Sequence, residues 1–338
     1  MGSVLRVKPF AIDDETLDWL LEPADPGVRM FTLTDLLDRP ANDPDVMRAA
    51  GEINHAPPVS TILEEQEPGG NWGPEKKFYT GKYNSTVWTL LVLAELGASA
   101  ADERIQKACA FILDHSQHAD SGGFSMRAGR AGGQGSGVIP CLTGNMLWVL
   151  IRFGLLDDPR VQSAVDWVTQ YQRFDDGDGE APTGWPYDRW EICWGRHTCH
   201  MGVVKTLKAF AEIPESARSR AVRETIDRAA EFMLIHHVFK RSHNLDRVSK
   251  PGWKKFGFPL MYQTDVLEIL NLLLGLGYRD SRMREAVELV RSKRGSDGRW
   301  LLENSYNPSL LVPIGEKGAP SKWITLNALK ALRHAEGL

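Results

Sequence analysis

DERIQKACAFILDHSQHADSGGF, residues 102–124, carries the pattern by which the rest of the chain is read. Asp102 is followed three positions on by Ile105 and six on by Ala108, and the segment closes on Gly123-Phe124. An aspartate there suits a helix N-cap, because its carboxylate accepts from the unpaired N–H groups of the first turn. The apolar spacing behind it predicts a helix with one buried face. The same arrangement recurs with Asp43, Val46 and Ala49 before Gly70 and Trp72, and with Asp158, Val161 and Ala164 before Gly184 and Trp185. It returns with Asp280, Met283 and Ala286 before Gly298 and Trp300. Pro44 and Pro159 stand where a first helical turn tolerates proline. A fifth copy, 214–232, is degenerate.

Between each glycine-aromatic turn and the next aspartate lies a second, more apolar segment: 28–37, 86–96, 144–155, 198–213, 260–276 and 323–332. Six segments apolar nearly all round read as buried helices, and repeats of roughly 50 to 70 residues read as stacked helical hairpins. Neither terminal unit has the polar face that caps an open array, so the expectation is a closed ring. That makes the chain all-α, an (α/α)6 toroid of six inner and six outer helices. It is taken as one domain over 1–338, with 1–26 an N-terminal extension packed on it. The N-terminal ends of the inner helices then share one mouth, which gathers Arg29, Tyr83, Cys141, Cys193, His197, Tyr262, Asp265 and Trp323.

A chain of 338 residues buries enough surface to need no staples. Four cysteines at irregular spacing and a start without an apolar core point to a reducing cytoplasm. No apolar run is long enough to span a bilayer. The formal charge of −4 gives no general pull toward nucleic acid. Oligomeric state is not legible.

Cys193-Trp-Gly-Arg-His-Thr-Cys-His200 packs four metal-ligating side chains into eight residues. If this stretch already belongs to the inner helix, Cys193, His197 and His200 share a face and, with Cys141, could hold Zn(II). Cys199 and Asp265 are alternatives for completing the set. Buried helix packing is the plain alternative, since cysteine is among the most buried residue types.

With these residues in view, the chain resembles the terpenoid cyclase and protein prenyltransferase superfamily of helical toroids. Gly122-Gly-Phe-Ser-Met-Arg-Ala-Gly-Arg130 is similar to a prenyltransferase turn whose two basic residues, three apart, hold an isoprenoid diphosphate; Arg127 and Arg130 match them. Cys141 matches the family's zinc cysteine, and Arg196-His197-Thr198-Cys199 its zinc histidine segment. Ile139 stands where the family has an aspartate ligand, and Leu142 where it has a tyrosine.

The resemblance implies a zinc-binding, prenyltransferase-like enzyme acting on an isoprenoid diphosphate or a similar long apolar substrate with an anionic head. Arg127, Arg130, Tyr83, Arg29 and Trp323 are the expected substrate contacts; Asp265 and Tyr262 are the expected catalytic pair; Cys141, Cys193, His197 and His200 are the expected zinc ligands. The alternatives are a terpenoid cyclase, or a non-catalytic lipid- or peptide-binding toroid with structural zinc. Asp175-Asp-Gly-Asp-Gly-Glu180 is similar on paper to the acidic motif of class II cyclases, but its place before Gly184-Trp185 gives it the reading of an ordinary turn, with a loop calcium site second. The run His236 to His243, with Lys250, Lys254 and Lys255, reads equally as a basic rim or a solvated connection.

Overall fold

In the computed structural model, which describes residues 12–336 and 338, all four repeat aspartates cap helices. Asp43, Asp102, Asp158 and Asp280 accept from the backbone N–H groups of Asp45, Arg104, Arg160 and Arg282. In three copies the donor residue is an arginine that folds back with Nε and Nη2 onto the same carboxylate, at 3.0 and 2.7 Å for Arg104, 3.2 and 3.0 Å for Arg160, and 3.0 and 2.7 Å for Arg282. The arginine forks, joined by the backbone bonds, hold the Asp102 and Asp280 carboxyls down at about 2.

Beside two short helices in connections, Val59–Glu64 and Glu191–Trp194, the helices of the ring are α1 (Asp14–Leu20), α2 (Pro26–Phe31, continued by a π-turn Thr32–Leu36), α3 (Pro44–Glu52), α4 (Thr86–Glu95), α5 (Glu103–His115) and α6 (Pro140–Arg152). They continue with α7 (Pro159–Tyr171), α8 (His200–Glu212), α9 (Arg220–Ile235), α10 (Val266–Gly275), α11 (Arg284–Ser292) and α12 (Lys322–His334). The even-numbered helices form the inner ring. α4 packs on α6, α6 on α8, α8 on α10, α10 on α12 and α12 on α2. The ring closes where α2 begins, since a Cβ on Gly27 would stand 2.6 Å from Leu96 O at the end of α4. Outside them, α3, α5, α7, α9 and α11 lie on their inner partners and α1 lies on α12. The toroid of six inner and six outer helices is therefore present among the described residues. α1 falls inside the stretch read as an extension, and residues 1–11 of that stretch lie outside the described residues.

The glycine-aromatic turns are wedges. Gly122 has φ +81, and any Cβ there would meet Ser163 O at 2.4 Å, so only glycine lets this turn reach the next outer helix. The aromatic residue then donates its backbone N–H to a threonine of the following inner helix: Trp72 to Thr86 at 3.1 Å, Phe124 to Thr143 at 3.0 Å, Trp300 to Thr325 at 3.0 Å.

The remaining copy departs from its expected register. The bond to threonine is made by Asp175, whose N–H donates to Thr198 Oγ1 at 2.9 Å, and Trp185 lies on the surface, 38% exposed. Residues 176–197 are thus an insertion within the repeat, and Gly184-Trp185 only imitates the wedge. For the same reason α8 starts at His200 and leaves Cys193 in a separate short helix, Glu191–Trp194.

The bore of the ring is charged. Lys205 Nζ lies 2.8 Å from both Glu268 carboxylate oxygens, Lys208 reaches Glu268 at 3.3 Å and also pairs with Glu95, and the Lys208 ammonium sits 3.9 Å from the Trp148 ring centroid.

Candidate functional site

Ser85 builds the turn that leads into α4, its Oγ lying 2.9 Å from the carbonyls of both Phe78 and Lys82. Trp88, buried in the first turn of the helix, donates its indole N–H to Tyr79 O at 2.8 Å. Its ring lies 5.0 Å from Tyr79, 5.5 Å from Tyr83 and 5.9 Å from Tyr262, and Tyr306 packs tilted against Tyr83 at 4.3 Å. Lys82 Nζ stands 5.5, 5.6 and 5.3 Å from the centroids of Tyr79, Trp88 and Tyr262. Three ring faces within reach of one ammonium make a surface that attracts positive charge. Burial pushes the Tyr79 and Tyr83 hydroxyls up, and that of Tyr306 up to about 12, so these phenols keep their protons at neutral pH. Tyr83 and Tyr262, both expected at the mouth, do meet there. Tyr79, Lys82, Trp88 and Tyr306 were not singled out in sequence, because nothing in their spacing separates a mouth residue from helix packing.

Beside the rings lie thiols. Cys141, in the first turn of α6, and Cys193 both act on Tyr79, and Cys199 acts on both cysteines. Burial, reinforced by the neighbouring thiols, raises Cys141 far above the ordinary thiol range, and burial with Cys199 takes Cys193 up to about 12. Protonated thiols are poor nucleophiles.

The expected zinc ligands do not assemble. His200 turns toward α9 and beyond, its ring 5.0 Å from Phe232, 4.4 Å from His236 and 5.3 Å from Trp253, and burial lowers its pKa to about 3. His197 has a side chain 64% exposed beside Asp176. The shared helical face expected for Cys193, His197 and His200 is absent because the insertion ends only where α8 begins. Among the described residues no three His, Cys, Asp or Glu side chains are grouped at metal-binding geometry. The set Cys141, Cys193, His197 and His200 therefore does not fit a shared zinc ion, and no chemistry is routed through one here.

Asp265 caps α10, its Oδ1 accepting from Glu268 N at 2.8 Å and its Oδ2 from Gly257 N at 2.9 Å. Burial pushes its carboxyl up to about 7, against the pull of those two N–H groups. Near neutral pH this group is poised between its two protonation states. It lines a pocket of about 150 Å3 in the bore with Phe258, Leu260 and Ile324, over Lys208 and Glu268.

The other expected substrate contacts are spread out. Arg127 and Arg130 are exposed, and the Arg127 guanidinium lies 5.4 Å from the Trp190 ring centroid. Arg29 donates to Leu21 O at 3.0 Å, and Trp323 stacks on Phe258 at 4.6 Å with Phe31 against its edge. Both are engaged in joining elements of the ring.

The acidic run read as a turn holds a further cluster. The Asp176 side chain, 12% exposed, has His236 Nε2 3.1 Å and His197 Nδ1 3.6 Å from Oδ1, and His243 Nε2 3.3 Å from Oδ2.

No protein-family model matches this chain, and no curated protein matches it in sequence. Among solved structures, an unsaturated glucuronyl hydrolase specific for heparin aligns at 12% identity over 97% of this chain and 90% of its own, with a TM-score of 0.51. A GH76 alpha-mannanase from Bacteroides thetaiotaomicron aligns at 12% identity over 93% and 85%, TM-score 0.48. A type II terpene cyclase from Scytonema aligns at 16% identity over 92% and 87%, TM-score 0.42. Folds of this kind host unrelated chemistries. What this chain has in common with such proteins is the architecture of a helical toroid.

Proposed function

We propose that the protein is an enzyme of the terpenoid-cyclase type, taking an isoprenoid or similar long apolar substrate at the aromatic mouth. The observation that carries this reading is the group of three rings, Tyr79, Trp88 and Tyr262, set around the ammonium of Lys82, with Tyr83 and Tyr306 packed beside them. A surface that accommodates a fixed cation also accommodates one that develops during reaction. Asp265, with its carboxyl near 7, supplies the proton: its O–H breaks as a C–H bond forms at the alkene, and the resulting carbocation later loses a proton to the carboxylate or to water. The pocket beside Asp265, about 150 Å3, is smaller than the roughly 300 to 1,000 Å3 that engulf a whole ligand, so the chain end enters the bore and the remainder lies across the rings.

Prenyl transfer is the second reading, favoured by Cys141 and Cys193 beside Tyr79, with Cys199 next to both cysteines. Zinc belongs to this reading, and elemental analysis of wild type and Cys141→Ser tests it.

Incubation with farnesyl and geranylgeranyl diphosphate, followed by chromatography and mass spectrometry, separates the two. Cyclisation gives a product of unchanged mass and new retention time that disappears in Asp265→Asn. Transfer instead releases pyrophosphate and adds the prenyl mass to a thiol acceptor. No product, together with unchanged tryptophan fluorescence on adding either diphosphate, overturns both.

A further inference from the structure

We infer that the groove between the ends of outer helices α5 and α7 binds a neutral saccharide, with Trp185 as its stacking ring, at a site separate from the aromatic mouth and independent of how the mouth is read. The groove holds about 510 Å3, more than the pocket beside Asp265 and within the roughly 300 to 1,000 Å3 of small-molecule sites. Three rings from three segments line it: His118 after α5, Tyr171 at the end of α7, and Trp185 in the insertion. Trp185 lies 5.3 Å from Tyr171 and 5.9 Å from His118, and its indole N–H donates to Gly135 O at 2.9 Å. His118 is fixed in turn, with Nδ1 2.8 Å from Ser121 Oγ and Gly135 so close that a Cβ there would stand 3.1 Å from Nε2. Trp185 does no packing for the repeat, since Asp175 makes the threonine bond in its place. A large ring held in one position at the surface, with no part in the core, is a preorganised contact for a ligand.

The rim adds polar groups that the fold leaves unused. Among the described residues, the side chains of Gln170 and Arg189 have no hydrogen-bond or ion-pair partner, and the Asp120 carboxylate pairs only with His118 Nε2, at 3.8 Å. A saccharide presents both surfaces that this lining answers. The C–H groups of its ring make an apolar, slightly positive face that packs on the negative face of an indole. Its hydroxyls, each a donor and an acceptor, are met by the guanidinium, amide and carboxylate of the rim. One arginine set against one aspartate gives no preference for a charged sugar. A nucleobase is the other flat ligand with hydrogen-bonding edges, and it is held best between parallel faces. Here the planes of Tyr171 and Trp185 stand 82° apart and those of His118 and Trp185 42° apart. Gln170, Trp185 and Arg189 are all exposed, so the groove is open on one side, which suits one unit of an oligosaccharide whose remainder runs outward.

The test is saturation-transfer NMR and tryptophan-fluorescence titration with maltotriose, cellotriose and mannotriose as probes, adenosine as the competing flat ligand, and circular dichroism to confirm folding. At least one trisaccharide should bind wild type saturably and more tightly than adenosine. Trp185→Ala should weaken that binding about tenfold or more, the scale of a lost aromatic contact, and Trp185→Phe, which keeps a ring, should weaken it less. Arg189→Met and Asp120→Ala should each weaken it several-fold, while Tyr262→Ala, at the mouth, leaves it unchanged. Should Trp185→Ala fail to fold, Arg189→Met, at an exposed position, decides alone. The inference is overturned by folded wild type that binds none of the three probes, by full affinity in the deciding variant, by binding lost in Tyr262→Ala instead, or by adenosine outcompeting every trisaccharide.

Discussion

The arc of the ring around 102–124 and the segment 175–200 start from the same repeat and end differently. In the first, an aspartate cap, an arginine fork, a glycine wedge and an aromatic N–H bonded to threonine follow one another without interruption. In the second, the bond to threonine survives through Asp175, and the chain then leaves the ring for 22 residues, from 176 to 197, before α8 begins. The regular arc is all packing. The interrupted one carries Asp176, Cys193 and His197 on connecting chain outside the helix pairs. Connections of this kind tolerate insertion because the ring's packing does not run through them.

The steepest effects are expected where the scaffold is perturbed. Trp300→Ala removes a buried wedge whose indole donates to Val290 O, and should cost about 3–5 kcal/mol in denaturant unfolding. Glu268→Gln leaves Lys205 and Lys208 without their shared counter-charge in the bore, and about 3–5 kcal/mol is expected there too. Glu268 also sets a pH dependence. Burial opposes its ionised form, Lys205 and Lys208 outweigh burial, and its folded pKa is lowered. Its contribution is therefore present above the unfolded carboxyl range and lost as pH falls through the lower folded value.

Loss of a cap is smaller: Asp102→Ala should cost about 1 kcal/mol, more than Asp178→Ala in the insertion, and thermal unfolding of the pair measures the contrast. Asp265 acts in the opposite sense to Glu268. Its folded pKa is raised to about 7, so the stability it provides is complete below the unfolded value of about 3.9 and is lost as pH rises through about 7. Asp265→Asn should flatten the stability profile between about pH 4 and 7, and an unchanged slope would mean that Asp265 is not the group that titrates. The smallest change is expected at Trp185→Ala, within about 0.5 kcal/mol, because that ring is only a surface imitation of the wedge. A loss as large as that of Trp300→Ala would restore Gly184-Trp185 to the repeat.

Periodicity made the fold legible. Aspartate caps, the apolar run of α4 and the wedge glycines are local signals, each fixed by helix geometry or by the conformation open to glycine. The mouth was legible only in part. Tyr83, Cys141, Cys193 and Tyr262 were placed there because inner-helix starts must converge, whereas Tyr306 comes from a connection whose path no local pattern predicts. The shared helical face expected for Cys193, His197 and His200 is absent for a definite reason: counting Cys193 and His197 into α8 required the helix to begin seven residues early.

Residue type and order alone settle that this chain is a ring of helical hairpins, because capping and amphipathic spacing act within a few residues of one another. Tertiary packing settles what the ring offers: that Lys82 meets three aromatic faces, that Glu268 bridges two lysines in the bore, and that Asp176 meets His236 and His243 from 60 or more residues away. Those contacts depend on how an insertion is laid back over the scaffold, and distance along the chain holds no record of it.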